Sequence, residues 1–165
     1  MKKLTPTMTI RPLTKSDEPF LWEMLYQAIY VPEGNKRPPR SIIYERELAK
    51  YVQGWGGPGD TGLVATNETG QPIGAAWLRL FTGDNKGYGY TDNKTPELSI
   101  AVLPAYRGKG IGTSLLRRLL IKAQSHFASI SLSDSPDNPA LRLYRRLGFE
   151  VVGENGGSLT MKITF

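Results

Sequence analysis

The chain has 165 residues, 21 Lys and Arg against 15 Asp and Glu, and a formal net charge of +6 at pH 7. It has no cysteine and one histidine, His126, which excludes disulfides, a cysteine nucleophile and cysteine or histidine-rich metal sites. No apolar run approaches the ~20 residues of a membrane span and no secretion signal follows Met1, so a single cytoplasmic domain over residues 1–165 is expected. The positive charge favours an anionic partner, which could be nucleic acid, a membrane surface or a polyphosphate ligand.

The first half of the chain is predicted to contain three strands and two helices. Segments with strand-like alternation lie at 8–13, 61–65 and 72–81. Helical spacing of apolar residues predicts one helix from a cap at Ser16 and Asp17 to about Tyr30, and a second from Ser41 to Gln53. Between these elements, Trp55 is interpreted as a packing residue in a glycine-rich loop, and residues 82–95 as a mobile connection.

The stretch from Glu97 to Gln124 predicts a strand, a glycine-rich turn and a helix. Apolar and polar residues alternate at its start, Pro104 ends the strand, and apolar residues then recur at helical spacing. Small residues leave the backbone N–H groups at the helix start bare. The helix dipole and the adjacent side chains of Arg107 and Lys109 add positive charge there. This turn is therefore predicted to bind a phosphate group.

The chain after this helix predicts one more strand, a helix and a closing hairpin. The strand covers 128–133, and its order after the preceding strand and helix implies a parallel crossover. Asn138 is a preferred helix cap and Gly148 a preferred helix stop, so they bound a helix. The hairpin joins 149–152 to 158–165.

A dinucleotide-binding fold is the main rival for the glycine-rich turn. Asp134 lies 22 residues beyond Gly112 (134 − 112), where such a fold places its ribose-binding acid. The glycine spacing is G-x-G-x-G instead of G-x-G-x-x-G, and too little chain remains for a second nucleotide-binding half. The dinucleotide reading is therefore the weaker one.

The sequence R-G-K-G-I-G after a strand, followed by N-P-A-L-R-L-Y-R-R-L-G-F, resembles the GCN5-related N-acetyltransferase (GNAT) superfamily. Arg107, Gly110 and Gly112 match its core signature, and Tyr144 and Gly148 lie at family-like positions downstream. The resemblance implies an α/β GNAT fold, a mixed sheet of about seven strands with a V-shaped splay and about four helices. It also implies that acetyl-CoA lies in the V, with no metal required.

The resemblance assigns roles to two groups of residues. Those that would bind the cofactor are Ile100, Ala101, Val102, Arg107, Gly108, Lys109, Gly110, Ile111, Gly112, Thr113 and Asn138. Tyr144 would be the general acid for the departing thiolate, and Glu97 the candidate base for the amine. Each has a structural alternative: Tyr144 could be a core residue, Asn138 a helix cap and Glu97 a solvated strand end. Backbone N–H groups near Ile100 and Ala101 would stabilise the oxyanion.

The sequence thus favours an N-acetyltransferase that acts on a primary amine of a small molecule or peptide by direct attack in a ternary complex. A non-catalytic acyl-CoA-binding sensor or interaction module is the alternative. Nucleic-acid binding is disfavoured because aromatic and basic residues are not interleaved. The acceptor pocket is expected between 30–55 and 82–95, uncapped by the short turn 153–157. The sequence leaves the acceptor and homodimer formation open.

Overall fold

A computed structural model describes residues 8–165, in which one mixed sheet carries helices on both faces. The expected absence of a secretion signal after Met1 lies outside the described residues. The strands are β1 (Thr9–Pro12), β2 (Thr61–Thr66), β3 (Pro72–Arg79), β4 (Glu97–Val102), β5 (Ser129–Asp134), β6 (Glu150–Asn155) and β7 (Ser158–Thr164). The α-helices are α1 (Glu18–Ala28), α2 (Arg46–Ala49), α3 (Ile111–Ala123) and α4 (Leu141–Leu147). The predicted seven strands and four helices are confirmed.

The strand order across the sheet is β1-β2-β3-β4-β5-β7-β6. Every neighbouring pair is antiparallel except β4 and β5, which are parallel as the crossover predicts. Helices α3 and α4 pack on one face with the cluster that contains Leu115, Leu119 and Ile130. Helix α1 packs on the other face, with Leu21 and Trp77. Among the described residues, no helix has the length and apolar character needed to cross a membrane.

The parallel pair β4 and β5 is joined at one point only. Glu97 is in register with Ser131, and the Ser131 N–H donates to the Pro96 carbonyl at 3.0 Å. Beyond this point the two strands separate, since β5 continues its pairing with β7 and β4 its pairing with β3. The predicted V-shaped splay therefore starts at Glu97 and leaves one edge of β4 open.

The single helix predicted from Ser41 to Gln53 is wrong. The structure has a 3-10 helix over Arg40–Tyr44, an extended residue at Glu45 (φ −66°, ψ 140°) and then the short α2. Ile43 and Val52 are both buried. In one continuous helix they would be nine residues or about 2.5 turns apart and would face opposite sides. The break at Glu45 lets both side chains reach the core.

The observed ends of the helices predicted from Ser16 and from Asn138 also differ from the prediction. Asp17 is the cap residue of α1, but its carboxylate accepts from Arg11 and from the Thr14 N–H, and the helix ends at Ala28 and not at Tyr30. Helix α4 begins at Leu141 rather than at Asn138. Gly148 ends α4 in the left-handed region (φ 111°), as predicted. Trp55 is 3% exposed in the core under α1, which confirms its packing role.

The connection over residues 82–96 is anchored at several points, against the expectation of a mobile segment. The Tyr88 N–H donates to the Tyr51 hydroxyl at 2.7 Å, and the Gly89 N–H donates to Glu97 at 2.8 Å. At the far end the hydroxyls of Thr95 and Ser129 share a hydrogen bond at 2.7 Å. These anchors join the loop to residues outside it, Tyr51, Glu97 and Ser129, and local composition does not encode them. This connection, called the 82–96 loop below, forms one wall of the site.

Candidate active site

The open edge of β4 presents backbone groups that the sheet does not use. The Leu103 N–H donates to the Ile73 carbonyl at 2.8 Å, which fixes the alternation of the ladder between β3 and β4. By that alternation the N–H of Ala101 faces β3, and the peptide groups of Ile100 and Val102 face the open edge. Of the two N–H groups predicted near the oxyanion, only that of Ile100 is available. The Ala101 N–H is committed to the sheet.

The glycine-rich turn delivers the start of α3 close to this edge. Gly108 (φ 75°) and Gly110 (φ 83°) lie in the left-handed region, and a Cβ atom at either would meet only open space within 4 Å. Glycine is therefore required there by backbone conformation and not by crowding. Gly110 caps α3, and the first N–H groups of the helix, including those of Ile111 and Thr113, have no acceptor within it. Such a turn can accept an anion, as the sequence predicts.

The side chain of Arg107 does not point at the helix start, against the sequence expectation. Its Nε donates to the Val102 carbonyl at 3.0 Å, and its Nη2 donates to Gln27 Oε1 at 3.2 Å. The Val102 carbonyl lies on the open edge without a strand partner, so the guanidinium satisfies it. Lys109 stays beside the turn, with Nζ 5.6 Å from the centre of the Tyr106 ring.

Glu97 is buried, and the solvated alternative is wrong. Its side chain is 2% exposed, and Oε1 accepts hydrogen bonds from the Tyr51 hydroxyl at 2.7 Å and the Gly89 N–H at 2.8 Å. Oε2 is also buried, and no described residue donates to it. Burial raises the pKa of the Glu97 carboxyl above its usual value, although these hydrogen bonds oppose the shift. An unpartnered carboxylate oxygen of this kind can accept a proton.

The 82–96 loop packs tightly against this carboxylate. A Cβ atom at Gly87 would lie 2.0 Å from Glu97 Oε2 and 2.5 Å from the Tyr51 hydroxyl, and one at Gly89 would lie 2.8 Å from the Leu132 backbone. Only glycine fits either position. The Tyr51 hydroxyl links the loop to Glu97, since it accepts from the Tyr88 N–H and donates to the carboxylate.

Tyr144 lies across the opening from Glu97, on α4. It is 7% exposed, and its ring packs edge-to-face on Phe149 at a centroid distance of 6.0 Å. Burial, and then the charge of Asp134, raise the pKa of its hydroxyl above 10.0. The phenol therefore stays protonated at neutral pH. Tyr144 belongs to the core and also lines a cavity. The core role and the site role that the sequence left open are therefore compatible.

Asn138 connects the end of β5 to α4. Its Oδ1 accepts from the Ala140 N–H at 2.9 Å, while its Nδ2 donates to both carboxylate oxygens of Asp134 at 2.9 Å. Asn138 thus closes the turn that leads into α4, whereas the cap position of the helix is Ala140, so the predicted helix cap at Asn138 is wrong. Burial raises the pKa of Asp134, opposed by the hydrogen bonds from Asn138 and the Ser135 N–H.

Two cavities meet between β4 and β5. The first, called the Glu97 cavity, has a volume of about 310 Å³ and includes Tyr51, Glu97, Asp134 and Tyr144 in its lining. The second, called the Arg107 groove, measures about 420 Å³ and runs along the open edge of β4. Predicted cofactor residues that line the groove are Ile100, Ala101, Val102, Arg107, Gly112 and Asn138. Tyr144 and Asp134 line both cavities, whereas Glu97 lines only the first.

Five predicted cofactor residues are absent from the lining of the groove: Gly108, Lys109, Gly110, Ile111 and Thr113. They form the turn and the helix start at its end, and the Ile111 side chain is buried in the core. Any contact they make with a ligand would use backbone groups or the Lys109 side chain.

The sequence profile of the acetyltransferase (GNAT) family matches residues 22–149. The chain belongs to the GNAT acetyltransferase family. The match covers most of α1, the splayed strands, the glycine-rich turn and α4. It also agrees with the fold, since the GNAT resemblance implied a mixed sheet of about seven strands with a V-shaped splay. In this family member, the described residues contain no group of three or more Asp, Glu or His side chains placed to hold a metal ion.

Known GNAT proteins resemble the chain over different lengths. L-methionine sulfoximine/L-methionine sulfone acetyltransferase of Pseudomonas aeruginosa is 34% identical over 95 residues, which cover 56% of this chain and 52% of that protein. The matches span only 15% to 52% of the length of the curated relatives. Phosphinothricin acetyltransferase of Sinorhizobium meliloti, solved with acetyl-CoA, superposes with a TM-score of 0.66 at 24% identity, covering 96% of this chain and 89% of that one. YncA of Salmonella typhimurium, also with acetyl-CoA, gives 0.64 at 25% identity, with 95% and 93% covered.

Two residues of this GNAT site were missed or misread from the sequence. Tyr51 lies in a segment read as a continuous helix, and no motif marks it. Asp134 was weighed only as the ribose-binding acid of a rival fold. Tyr51 is buried and donates to Glu97, 46 residues away, a contact that no local pattern signals. Asp134 is half-buried and held locally by Ser135 and Asn138, but its place in the cavity depends on the separation of β4 and β5.

Proposed function

We propose that this chain is an N-acetyltransferase that moves the acetyl group of acetyl-CoA to a primary amine of a small molecule or peptide. The amine attacks directly while both substrates are bound. The main support for this proposal is that a buried carboxylate, Glu97, and a protonated phenol, Tyr144, line one cavity that opens into the Arg107 groove. We place this activity in the cytoplasm, where coenzyme A thioesters are available as substrates.

The Arg107 groove fits acetyl-CoA. The Ile100 carbonyl and the Val102 N–H, which both face the open edge, can pair with the amides of a pantetheine arm, as an added strand would. The N–H groups at the start of α3 and the adjacent Lys109 suit a pyrophosphate. When bound, acetyl-CoA supplies an acetyl group activated as a thioester.

Glu97 is proposed as the base. An amine is mostly protonated at neutral pH and must lose a proton before it can attack a carbonyl carbon. No residue in the described range 8–165 donates a hydrogen bond to Glu97 Oε2, so this oxygen can take that proton directly or through a water molecule. Tyr51 and Gly89 hold the other oxygen and so fix the orientation of the carboxylate.

Tyr144 is proposed as the acid. It lines both the Glu97 cavity and the Arg107 groove, and so lies where the thiolate would depart. The hydroxyl carries its proton at neutral pH and is proposed to donate it to the departing thiolate. Burial raises the pKa of Tyr144 and so weakens it as an acid, but the same lack of hydration also raises the basicity of a thiolate in this cavity. The free N–H of Ile100 is proposed to stabilise the negative charge that develops on the carbonyl oxygen.

Calorimetric titration with acetyl-CoA, followed by measurement of thiol release with a panel of primary amines, tests this function. We expect saturable binding of acetyl-CoA and amine-dependent release of thiol. No binding of acetyl-CoA would overturn the proposal. Binding without thiol release from any amine would favour the acyl-CoA-binding module instead.

A further inference from the structure

The charged side chains that line the Glu97 cavity are all acidic, whereas those of the Arg107 groove are of both signs. The charged residues that line the Glu97 cavity are the acids Glu97 and Asp134, and among the described residues no Lys, Arg or His lines it. The Arg107 groove carries Arg37 and Arg107 as well as Asp134. Although the chain has a net charge of +6, none of the cations in its described part lines the Glu97 cavity.

Two cations outside the lining of the cavity, Lys50 and Arg37, are paired with other groups. Lys50 Nζ pairs with Glu47 at 2.9 Å and also donates to the Lys86 carbonyl, although its charge still opposes the rise that burial causes in the pKa of Glu97. The Arg37 guanidinium lies 4.5 Å from the centre of the Tyr26 ring and donates to the Tyr26 carbonyl at 3.0 Å. Neither residue lines the Glu97 cavity. A carboxylate that entered this cavity would find no cation in its lining.

Most of the remaining lining is apolar or aromatic, and its other members are uncharged serines, Ser99, Ser133, Ser135 and Ser158. The aliphatic residues are Leu25, Ala28, Ile29, Leu48, Leu98, Ile100 and Leu132. Four tyrosines, including Tyr30 and Tyr88, add rings with polar tips. A carboxylate would lose its hydration among these side chains and would face two acids of its own sign. A protonated amine on an apolar body would be attracted by the same acids.

We infer that the acceptor is a primary amine with an apolar body and no carboxylate near the amino group, and not a free α-amino acid. This inference rests on the proposed function and narrows its substrate class. It separates this chain from its Pseudomonas relative, which is named for acetylating L-methionine sulfoximine and L-methionine sulfone. Both of those substrates carry an α-carboxylate next to the reactive amine.

A matched pair of acceptors tests the inference in the wild-type protein. Phenethylamine and phenylalanine differ only in the α-carboxylate, and phenylalanine amide restores the bulk of that group without its charge. We expect kcat/KM for phenethylamine and for the amide to exceed that for phenylalanine by about tenfold or more, since about 1.4 kcal/mol of differential binding gives this ratio. Equal or better use of phenylalanine would overturn the inference.

A binding measurement separates this inference from the proposed function. The protein saturated with coenzyme A is titrated with each of the three acceptors. If acetyl-CoA binds but no acceptor releases thiol, the proposed transfer to amines fails, and the titration still decides the inference. Tighter binding of phenethylamine than of phenylalanine supports it. Equal binding, tighter binding of phenylalanine or no binding of phenethylamine overturns it.

Two single-charge variants identify the cause of the preference. Asp134→Asn keeps an oxygen for the Asn138 and Ser135 donors but removes a charge from the cavity wall. We expect it to reduce the preference for phenethylamine over phenylalanine by about threefold or more. Asp137→Asn makes the same change on an exposed residue outside both cavities and should leave the ratio as in the wild type. An unchanged ratio in Asp134→Asn, or an equal change in both variants, would overturn the electrostatic origin.

Discussion

Glu97 shows how strongly a residue's chemistry depends on its surroundings. In the sequence it is an acid at the start of a strand, where a solvated carboxylate and a catalytic base are equally reasonable. In the structure it is 2% exposed and fixed through one oxygen by Tyr51 and Gly89. Its other oxygen has no donor among the described residues, and such a group costs free energy unless a ligand or water supplies a partner. Burial thus changes Glu97 from a surface charge into a candidate proton acceptor.

Replacing Glu97 by Gln is expected to lower kcat/KM by about 10²-fold or more, because a positioned base contributes that much to proton transfer. In the wild type, the acidic limb of the pH profile of kcat/KM should lie above pH 4.5, since burial raises the Glu97 pKa from that value. Steady-state kinetics across pH measures both effects. Glu150, an exposed acid on β6, provides the control, and Glu150→Gln should retain wild-type rates. A Glu97→Gln enzyme with an unchanged acidic limb would show that another group accepts the proton.

Replacing Tyr144 by Phe should separate its two roles. The ring keeps its packing on Phe149, so the fold and the affinity for acetyl-CoA should hardly change. Loss of the hydroxyl proton should lower kcat by about 10²-fold. Stopped-flow kinetics and calorimetry measure the two quantities. Full activity in Tyr144→Phe would mean that the residue serves only the core.

At the scale of the elements, the site exists because β4 and β5 share a single register point. Beyond Glu97 each strand keeps its other neighbour, and the peptide groups of Ile100 and Val102 are left without a strand partner. The glycine-rich turn then places the start of α3 at the end of this edge. Arg107 bridges the edge to Gln27 on α1, which limits the exposure of the Val102 carbonyl.

Two glycines of the turn provide a matched pair of variants. Gly110 has φ 83°, and an alanine there should cost about 1–2 kcal/mol of unfolding free energy and displace the start of α3. Acetyl-CoA affinity should therefore fall by about tenfold or more in Gly110→Ala. Gly112 is inside the helix, and an added Cβ would make ordinary contacts with Val102 at 3.8 Å and Ile100 at 4.0 Å. Gly112 lines the Arg107 groove, so it serves as a control for stability only, and Gly112→Ala should retain the wild-type free energy of unfolding. Calorimetry measures the affinity of Gly110→Ala and urea denaturation the stability of both variants; equal losses of stability in both would contradict a conformational role for Gly110.

On the scale of the whole molecule, the cations and the acids of the candidate site lie in different places. The protein's positive excess lies outside the lining of the Glu97 cavity, whose charged residues are the buried Glu97 and the half-buried Asp134. Both acids have pKa values raised mainly by burial. The folded state therefore binds these protons more tightly than the unfolded chain does. Stability that comes from them is present below the unfolded pKa values and is lost as pH rises through the folded ones.

The difference in unfolding free energy between the wild type and Glu97→Gln should consequently fall as pH rises from below 4.5 through the raised pKa.

The contribution of Asp17 to the free energy of unfolding has the opposite pH dependence. Its hydrogen bond with Arg11 is the main cause that lowers its pKa below 3.8, so its contribution is present above that value and lost as pH falls. The difference between the wild type and Asp17→Asn should thus shrink in acid. Urea denaturation over a pH series measures both, and parallel trends in the two variants would contradict these signs.

Several structural features can be predicted from short stretches of sequence alone. The strand, turn and helix from Glu97 to Gln124, the stop at Gly148 and the packing role of Trp55 follow from periodicity, backbone conformation and side-chain type, and the family signature fits them. Tertiary structure alone decided the break at Glu45, the direction of Arg107 and the burial of Glu97. Each of these depends on partners that are distant in the chain or on another element, such as Tyr51, 46 residues from Glu97. Short-range patterns fix what a segment can become, whereas burial and charge depend on what the fold brings against it.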